Sequence, residues 1–133
     1  MKYRTAAAFT LLIAGLVTTL SAQPGARQER VQLPAGKNQV ILRGTLKGDE
    51  MVDYILPSKA GEAWVIALDT RNASTNFNVT GPGAQEALFI GSTSGSKFEG
   101  KLPTAGDYTV RVYLMRSAAR RGSKTAYTIT FRK

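Results

Sequence analysis

The sequence predicts an all-β protein, an antiparallel β-sandwich of about eight or nine short strands. Three observations carry that expectation. Apolar and β-branched residues alternate with period 2, the runs recur at even spacing, and short Gly, Pro, Asn or Asp clusters separate them. No stretch keeps a 3.6-residue apolar period for two full turns, so helices of any length are not expected.

Strands are expected over 30–33, 38–46, 51–56, 63–69, 76–80, 87–90, 97–102, 107–115 and 125–132. Turn residues close each in order: Ala35-Gly36, then 47–50, Lys59-Ala60-Gly61, 71–75, Gly81-Pro82-Gly83, 92–96 and Thr104-Ala105-Gly106. The alternation is clearest near the C-terminus. Tyr108, Val110, Val112 and Leu114 form one apolar face, with Thr109, Arg111 and Tyr113 on the other. Tyr127, Ile129 and Phe131 repeat the pattern in the last strand. Trp64, Ile66 and Leu68 are expected to line a facing sheet, packed against Val40, Leu42, Tyr54 and Leu56. Core packing accounts for these aromatics; Tyr113, on the solvent register beside Arg111, is the candidate for a surface role.

Composition narrows the chemistry. The chain has 133 residues, room for one domain, and 43% hydrophobic content, ordinary for a globular fold. It has no cysteine, so it forms no disulfide, thiolate zinc site or cysteine nucleophile. It has no histidine, the usual proton shuttle near neutral pH and the commonest metal ligand. Catalytic constellations are nearly empty. Asp49, Glu50 and Asp53 fall in one loop and the strand after it, and they lack the glycine-turned spacing of a calcium loop. The expectation is a protein that is not an enzyme and needs no cofactor or metal.

The N-terminus reads as a secretory signal peptide over 1–22. Lys2 and Arg4 precede an apolar run from Ala6 to Leu20, and Ser21-Ala22 offer a cleavage point before Pro24 and Gly25. The run is shorter than the roughly 20 residues needed to cross a bilayer. The expected product is an exported domain over 23–133, without a membrane span. The sequons at Asn72 and Asn78 read as chance matches in a chain whose signal looks bacterial.

Charge is unevenly placed. The chain carries 18 Lys+Arg against 9 Asp+Glu. Residues 23–107 balance, whereas 108–133 hold Arg111, Arg116, Arg120, Arg121, Lys124, Arg132 and Lys133 and no acid. Four of these cations lie in the connector 116–124, which is long for a hairpin. One helical turn over 117–120 would place Arg116 and Arg120 on a common face, where like charges repel unless a partner supplies anions.

Several segments together resemble a known family, the periplasmic inhibitors of g-type (goose-type) lysozyme. They are Gly44-Thr45-Leu46-Lys47-Gly48, Tyr54, Gly81-Pro82-Gly83, the pattern Leu102-Pro103 with Ala105, Gly106, Tyr108, Arg111 and Val112, then Arg116 with Ala119 and Arg120, and finally Tyr127 with Ile129. The segment 102–112 also resembles pre-peptidase C-terminal domains, which are β-sandwiches; the arginine-bearing connector is the more telling piece. The resemblance implies a sandwich that plugs a lysozyme's active-site cleft with loops, and Arg116 and Arg120 match the family's loop arginines. Arg121, Tyr113, Asp49 and Glu50 complete the candidate partner-binding set. One departure stands out: the family's tyrosines after Lys-Gly are replaced here by Asp49, Glu50 and Met51, which removes aromatic anchors. The alternative function is a non-catalytic module that holds anionic glycans or cell-envelope components on its basic face.

Overall fold

The computed structural model describes residues 26–133, so the signal peptide expected over 1–22 lies outside the described residues. Nine strands and two single helical turns follow in order: β1 (Ala26–Arg30), β2 (Gln39–Lys47), β3 (Met51–Ser58), β4 (Glu62–Thr70), β5 (Thr75–Thr80), β6 (Ala87–Ile90), α1 (Gly91–Ser94), β7 (Lys97–Leu102), β8 (Gly106–Leu114), α2 (Arg116–Arg120) and β9 (Lys124–Arg132). They form two facing sheets, one ordered β1-β3-β8-β5-β6 and the other β2-β9-β4-β7. The expected sandwich is present.

Period-2 alternation positions the core as the sequence implies. Tyr108, Val110, Val112 and Leu114 of β8 are buried, as are Tyr127, Ile129 and Phe131 of β9 and Trp64, Ile66 and Leu68 of β4. Arg111 and Tyr113 take the outer register. Three expectations need correction. The first strand lies at Ala26–Arg30 rather than 30–33, and it pairs with β3 in parallel, unlike every other pair in the two sheets. Its exposed, polar side chains carry no apolar alternation, because an edge strand of this kind is fixed by backbone pairing to β3. Val40 and Leu42 do not face Trp64 across the core. They belong to β2, at the edge of the same sheet, and are only half-buried. The connector expected over 92–96 also overlaps a helical turn, α1, which begins at Gly91.

A hydrogen bond between phenols ties the two sheets together in the middle of the core. Tyr54 Oη of β3 lies 2.8 Å from Tyr127 Oη of β9, and each side chain is almost fully buried. Tyr127 stands opposite Gly44 in the β2–β9 register. A Cβ built on Gly44 would strike the Tyr127 ring and hydroxyl, so glycine makes the room in which the ring lies flat over β2. At the other end of the molecule Tyr108 Oη donates to Thr104 O at 2.8 Å and accepts from Thr104 N at 3.0 Å. This is the arrangement of a tyrosine corner, which explains the spacing of the 102–112 pattern as a fold device.

Burial raises both core phenols above the ordinary tyrosine value of 10.0, Tyr54 the further of the two because its bond to Tyr127 adds to the effect. A pKa raised in the folded state contributes stability that is complete below about pH 10 and is lost as the pH climbs beyond it. Thermal melting followed from pH 8 upwards should therefore show a steep fall above about pH 10. Replacing both with phenylalanine (Tyr54→Phe and Tyr127→Phe) should cost about 1 kcal/mol at neutral pH and flatten the alkaline fall. An alkaline limb identical in the double variant would show that these phenols do not govern it.

Candidate functional site

Chain connectivity brings distant segments to one end of the sandwich. Both the β2–β3 turn and the β8–β9 connector cross from one sheet to the other. The end of β2 pairs with the start of β9 (Lys47 with Lys124), and the start of β3 pairs with the end of β8 (Met51 with Tyr113). The two crossings must therefore lie side by side. The connector 116–124 is thus a bridge between sheets and not a hairpin loop.

Within that bridge the alanines form the buried side and the arginines the exposed side. Ala118 is 1% exposed and joins the core, and Ala119 packs against it. Arg116, Arg120 and Arg121 all point to solvent. The helical turn closes with Ala119 N donating to Met115 O at 2.9 Å, and Ser123 N returns to Ala118 O at 3.1 Å. The expected turn over 117–120 is thus present as α2, with Arg116 and Arg120 one turn apart. Among the described residues none of the three arginines forms an ion pair or a side-chain hydrogen bond.

Two neighbouring loops brace the turn. Gly48 N donates to Ser123 O at 2.9 Å, and Gly48 has φ of 61°, a conformation that favours glycine. A Cβ there would sit 3.5 Å from Ala119 O, so the β2–β3 turn rests directly on α2. On the other side, Ser74 O accepts from Met115 N at 2.8 Å, and Asn72 Nδ2 donates to Lys124 O at 3.2 Å. Below them Thr125 Oγ1 lies 2.8 Å from Thr75 Oγ1 and 3.0 Å from Thr70 Oγ1, joining the ends of β4, β5 and β9. Sequence reasoning missed the β4–β5 loop as part of this end. Asn72 and Ser74 look like ordinary turn residues, and only the sheet order puts them beside residue 115.

The remaining candidates divide. Asp49 and Glu50 lie exposed in the adjoining turn, and Glu50 Oε2 accepts from Lys47 N at 3.2 Å, closing that turn locally. Tyr113 is half-buried on the outer face, next to Met51 and Asn76 in register, and its hydroxyl donates to Asn78 Oδ1 at 3.0 Å. Its ring can meet a partner; its hydroxyl is already engaged. Asp53 does not converge with Asp49 and Glu50. It is paired bidentately with Arg111, Nε to Oδ1 at 2.7 Å and Nη2 to Oδ2 at 2.9 Å, which holds the guanidinium above its ordinary pKa. Among the described residues no three acidic side chains cluster as a metal site.

Comparison with solved structures places this geometry. PliG of Aeromonas hydrophila, a periplasmic inhibitor of g-type lysozyme, superimposes with a TM-score of 0.72 at 29% identity, over 80% of this chain and 96% of that one. The chain is similar to the g-type lysozyme inhibitors. PliG of Salmonella Typhimurium matches over 80% of this chain and 96% of its own at 19% identity and a TM-score of 0.63. The pre-peptidase C-terminal domain of Bacillus anthracis collagenase shares the fold at 15% identity and a TM-score of 0.57, over 80% and 94%. No protein-family model and no curated protein matches the chain. Resemblance both to PliG and to the pre-peptidase C-terminal domains is thus present at the level of structure.

The Asp53–Arg111 pair is asymmetric, and its variants should reflect that. The Asp53 side chain is 7% exposed and the Arg111 side chain 42%. Arg111→Met strands a buried carboxylate, whereas Asp53→Asn leaves a guanidinium able to reach water. Urea denaturation should show Arg111→Met as the worse variant, with Asp53→Asn costing about 1–2 kcal/mol. Equal losses would mean that Asp53 is hydrated when unpaired.

Proposed function

We propose that the chain is an exported, periplasmic inhibitor of g-type lysozyme, that residues 23–133 form the mature domain, and that the β8–β9 bridge enters the enzyme's cleft. One observation carries the reading: three exposed arginines, without acidic partners among the described residues, on a helical turn and its C-terminal cap braced by two loops, on a scaffold similar to that of PliG.

The chemistry follows from the guanidinium. Lysozyme clefts hold catalytic carboxylates that serve as acid and as base or nucleophile. Arginine stays charged at any relevant pH and donates two parallel hydrogen bonds to one carboxylate. Arg116 and Arg120 stand one turn apart on a common face of α2, so both can address one acidic cleft, with Arg121 at its rim. Occupying the catalytic acid blocks proton donation to the glycosidic oxygen, and the inserted turn excludes the sugar. Mutual repulsion of the arginines in the free protein is relieved when carboxylates lie between them, which adds to the preference for an acidic cleft. The Tyr113 ring and the β2–β3 turn with Asp49 and Glu50 flank the insertion. Their contribution is subsidiary, because the turn carries acids and a methionine rather than aromatic anchors.

Lysis of peptidoglycan by goose-type lysozyme, measured with increasing amounts of residues 23–133, tests this directly. Inhibition below about 1 µM is expected, with chicken-type and invertebrate-type enzymes affected far less. The double variant Arg116→Ala and Arg120→Ala should weaken inhibition at least about tenfold, since close charge pairs across an interface couple by about 1.5–7 kcal/mol. Arg116→Lys with Arg120→Lys should restore little of it. Undiminished lysis at about 10 µM inhibitor, a concentration that would reveal even a weak complex, would overturn the proposal.

A further inference from the structure

We infer a second binding site, for an anionic glycan strand, in a basic trough along the β2–β9–β4 sheet that adjoins the arginine bridge at Asn72 and Lys124 but is not lined by Arg116, Arg120 or Arg121. The trough is open, with a volume of about 890 Å³, within the usual range for small-molecule sites. Arg43 of β2, Arg71 of the β4–β5 loop and Lys124 of β9 line it, and Arg27 joins them from the edge of the other sheet. Asp69 is the single acid among the lining residues.

Sheet register explains why this surface is concave and basic. Thr128 of β9 stands between Arg43 of β2 and Asp69 of β4, and Ala126 is paired with Thr45. At Ala126 and Thr128 the central strand thus offers small side chains between the longer Arg43 and Asp69, producing a floor with raised, charged walls and Lys124 at its end. None of Arg27, Arg43, Arg71 and Lys124 forms an ion pair among the described residues. Four cations without an ion-pair partner among the described residues, against the single acid Asp69, leave a net positive potential over this concave surface that a bound anion relieves.

The lining also selects the class of anion. The exposed large apolar residues, Ile41, Leu88, Ile90 and Met115, all lie outside the trough, so it lacks the apolar anchors of a protein interface. Its aromatic, Tyr127, is buried and cannot stack against bases. What remains are guanidinium and ammonium donors over threonine hydroxyls at positions 45 and 128 and the Asn72 amide. These suit a hydrophilic chain of hydroxyls punctuated by carboxylate, sulfate or phosphate groups.

The probe is a heparin-derived hexasaccharide, titrated calorimetrically into residues 23–133, with uncharged chitohexaose and inorganic phosphate in parallel. A micromolar Kd is expected for the anionic oligosaccharide, weakening about tenfold between roughly 50 and 300 mM salt as exposed charges are screened. Chitohexaose should give no binding, and phosphate only millimolar binding. Arg43→Ala with Arg71→Ala should weaken the hexasaccharide at least about tenfold. Neither side chain makes a hydrogen bond among the described residues, so an unchanged circular dichroism spectrum is expected for that variant. Arg116→Ala with Arg120→Ala should leave glycan affinity within about threefold. Absence of binding at millimolar hexasaccharide, equal binding of chitohexaose, or equal loss in the two double variants would overturn the site.

Discussion

The contact on which the arginine-bearing end depends is the seating of the β2–β3 turn against the β8–β9 bridge. A single backbone hydrogen bond, Gly48 N to Ser123 O, and the close approach of Gly48 to Ala119 O fix the position of α2. A five-residue helical segment has no stability of its own in water, since helix nucleation costs more than one turn recovers. It persists here because Ala118 is sunk into the core and backbone groups on both flanks are answered by neighbouring loops. Small residues are essential to that arrangement: alanines let the turn approach the sandwich, and the glycine lets the next loop lie on top of it.

Rigid seating matters because of what the turn carries. Ordering long arginine side chains and a loop at the moment of binding would subtract from affinity; a backbone already fixed in place avoids the larger part of that cost. Among the described residues, none of the scaffold's own acids pairs with the arginines of the turn, although Asp49 and Glu50 lie in the adjoining loop. Asp53 is committed to Arg111, Glu62 to Lys133, and Glu50 to a backbone amide in its own turn. The arginines of α2 are left without an ion-pair partner among the described residues. A uniform scatter of ion pairs would be no less stable, since exposed pairs contribute little, but it would leave nothing to attract a carboxylate.

Different parts of this design were legible to different degrees in the sequence. The faces of β8 and β9 follow directly from alternation, because one side of each strand is buried and a one-residue slip would expose it. The arginine turn was legible too: Ala118 and Ala119 between arginines have helical preference and an obvious inner side. The location of β1 was not, because Ala26–Arg30 is polar and exposed and is held by backbone pairing to β3, whereas the apolar Val31 and Leu33 lie just beyond it. Alternation also tells which face of a strand is buried without telling which sheet the strand joins. That is why Val40 and Leu42 were expected across from Trp64, and why Asn72 and Ser74 went unnoticed as supports for residue 115. The trough was hidden for the same reason, since Arg43, Arg71 and Lys124 are far apart in the chain and meet only through the order β2-β9-β4.

In the proposed complex the arginine turn occupies the same space as substrate. The most direct measurement is the affinity of the chain for a g-type lysozyme with and without a chito-oligosaccharide bound in the enzyme's cleft. If α2 enters the cleft, apparent affinity falls in proportion to the fraction of enzyme already holding sugar. Affinity that stays constant as the cleft fills would place the contact elsewhere and contradict the account.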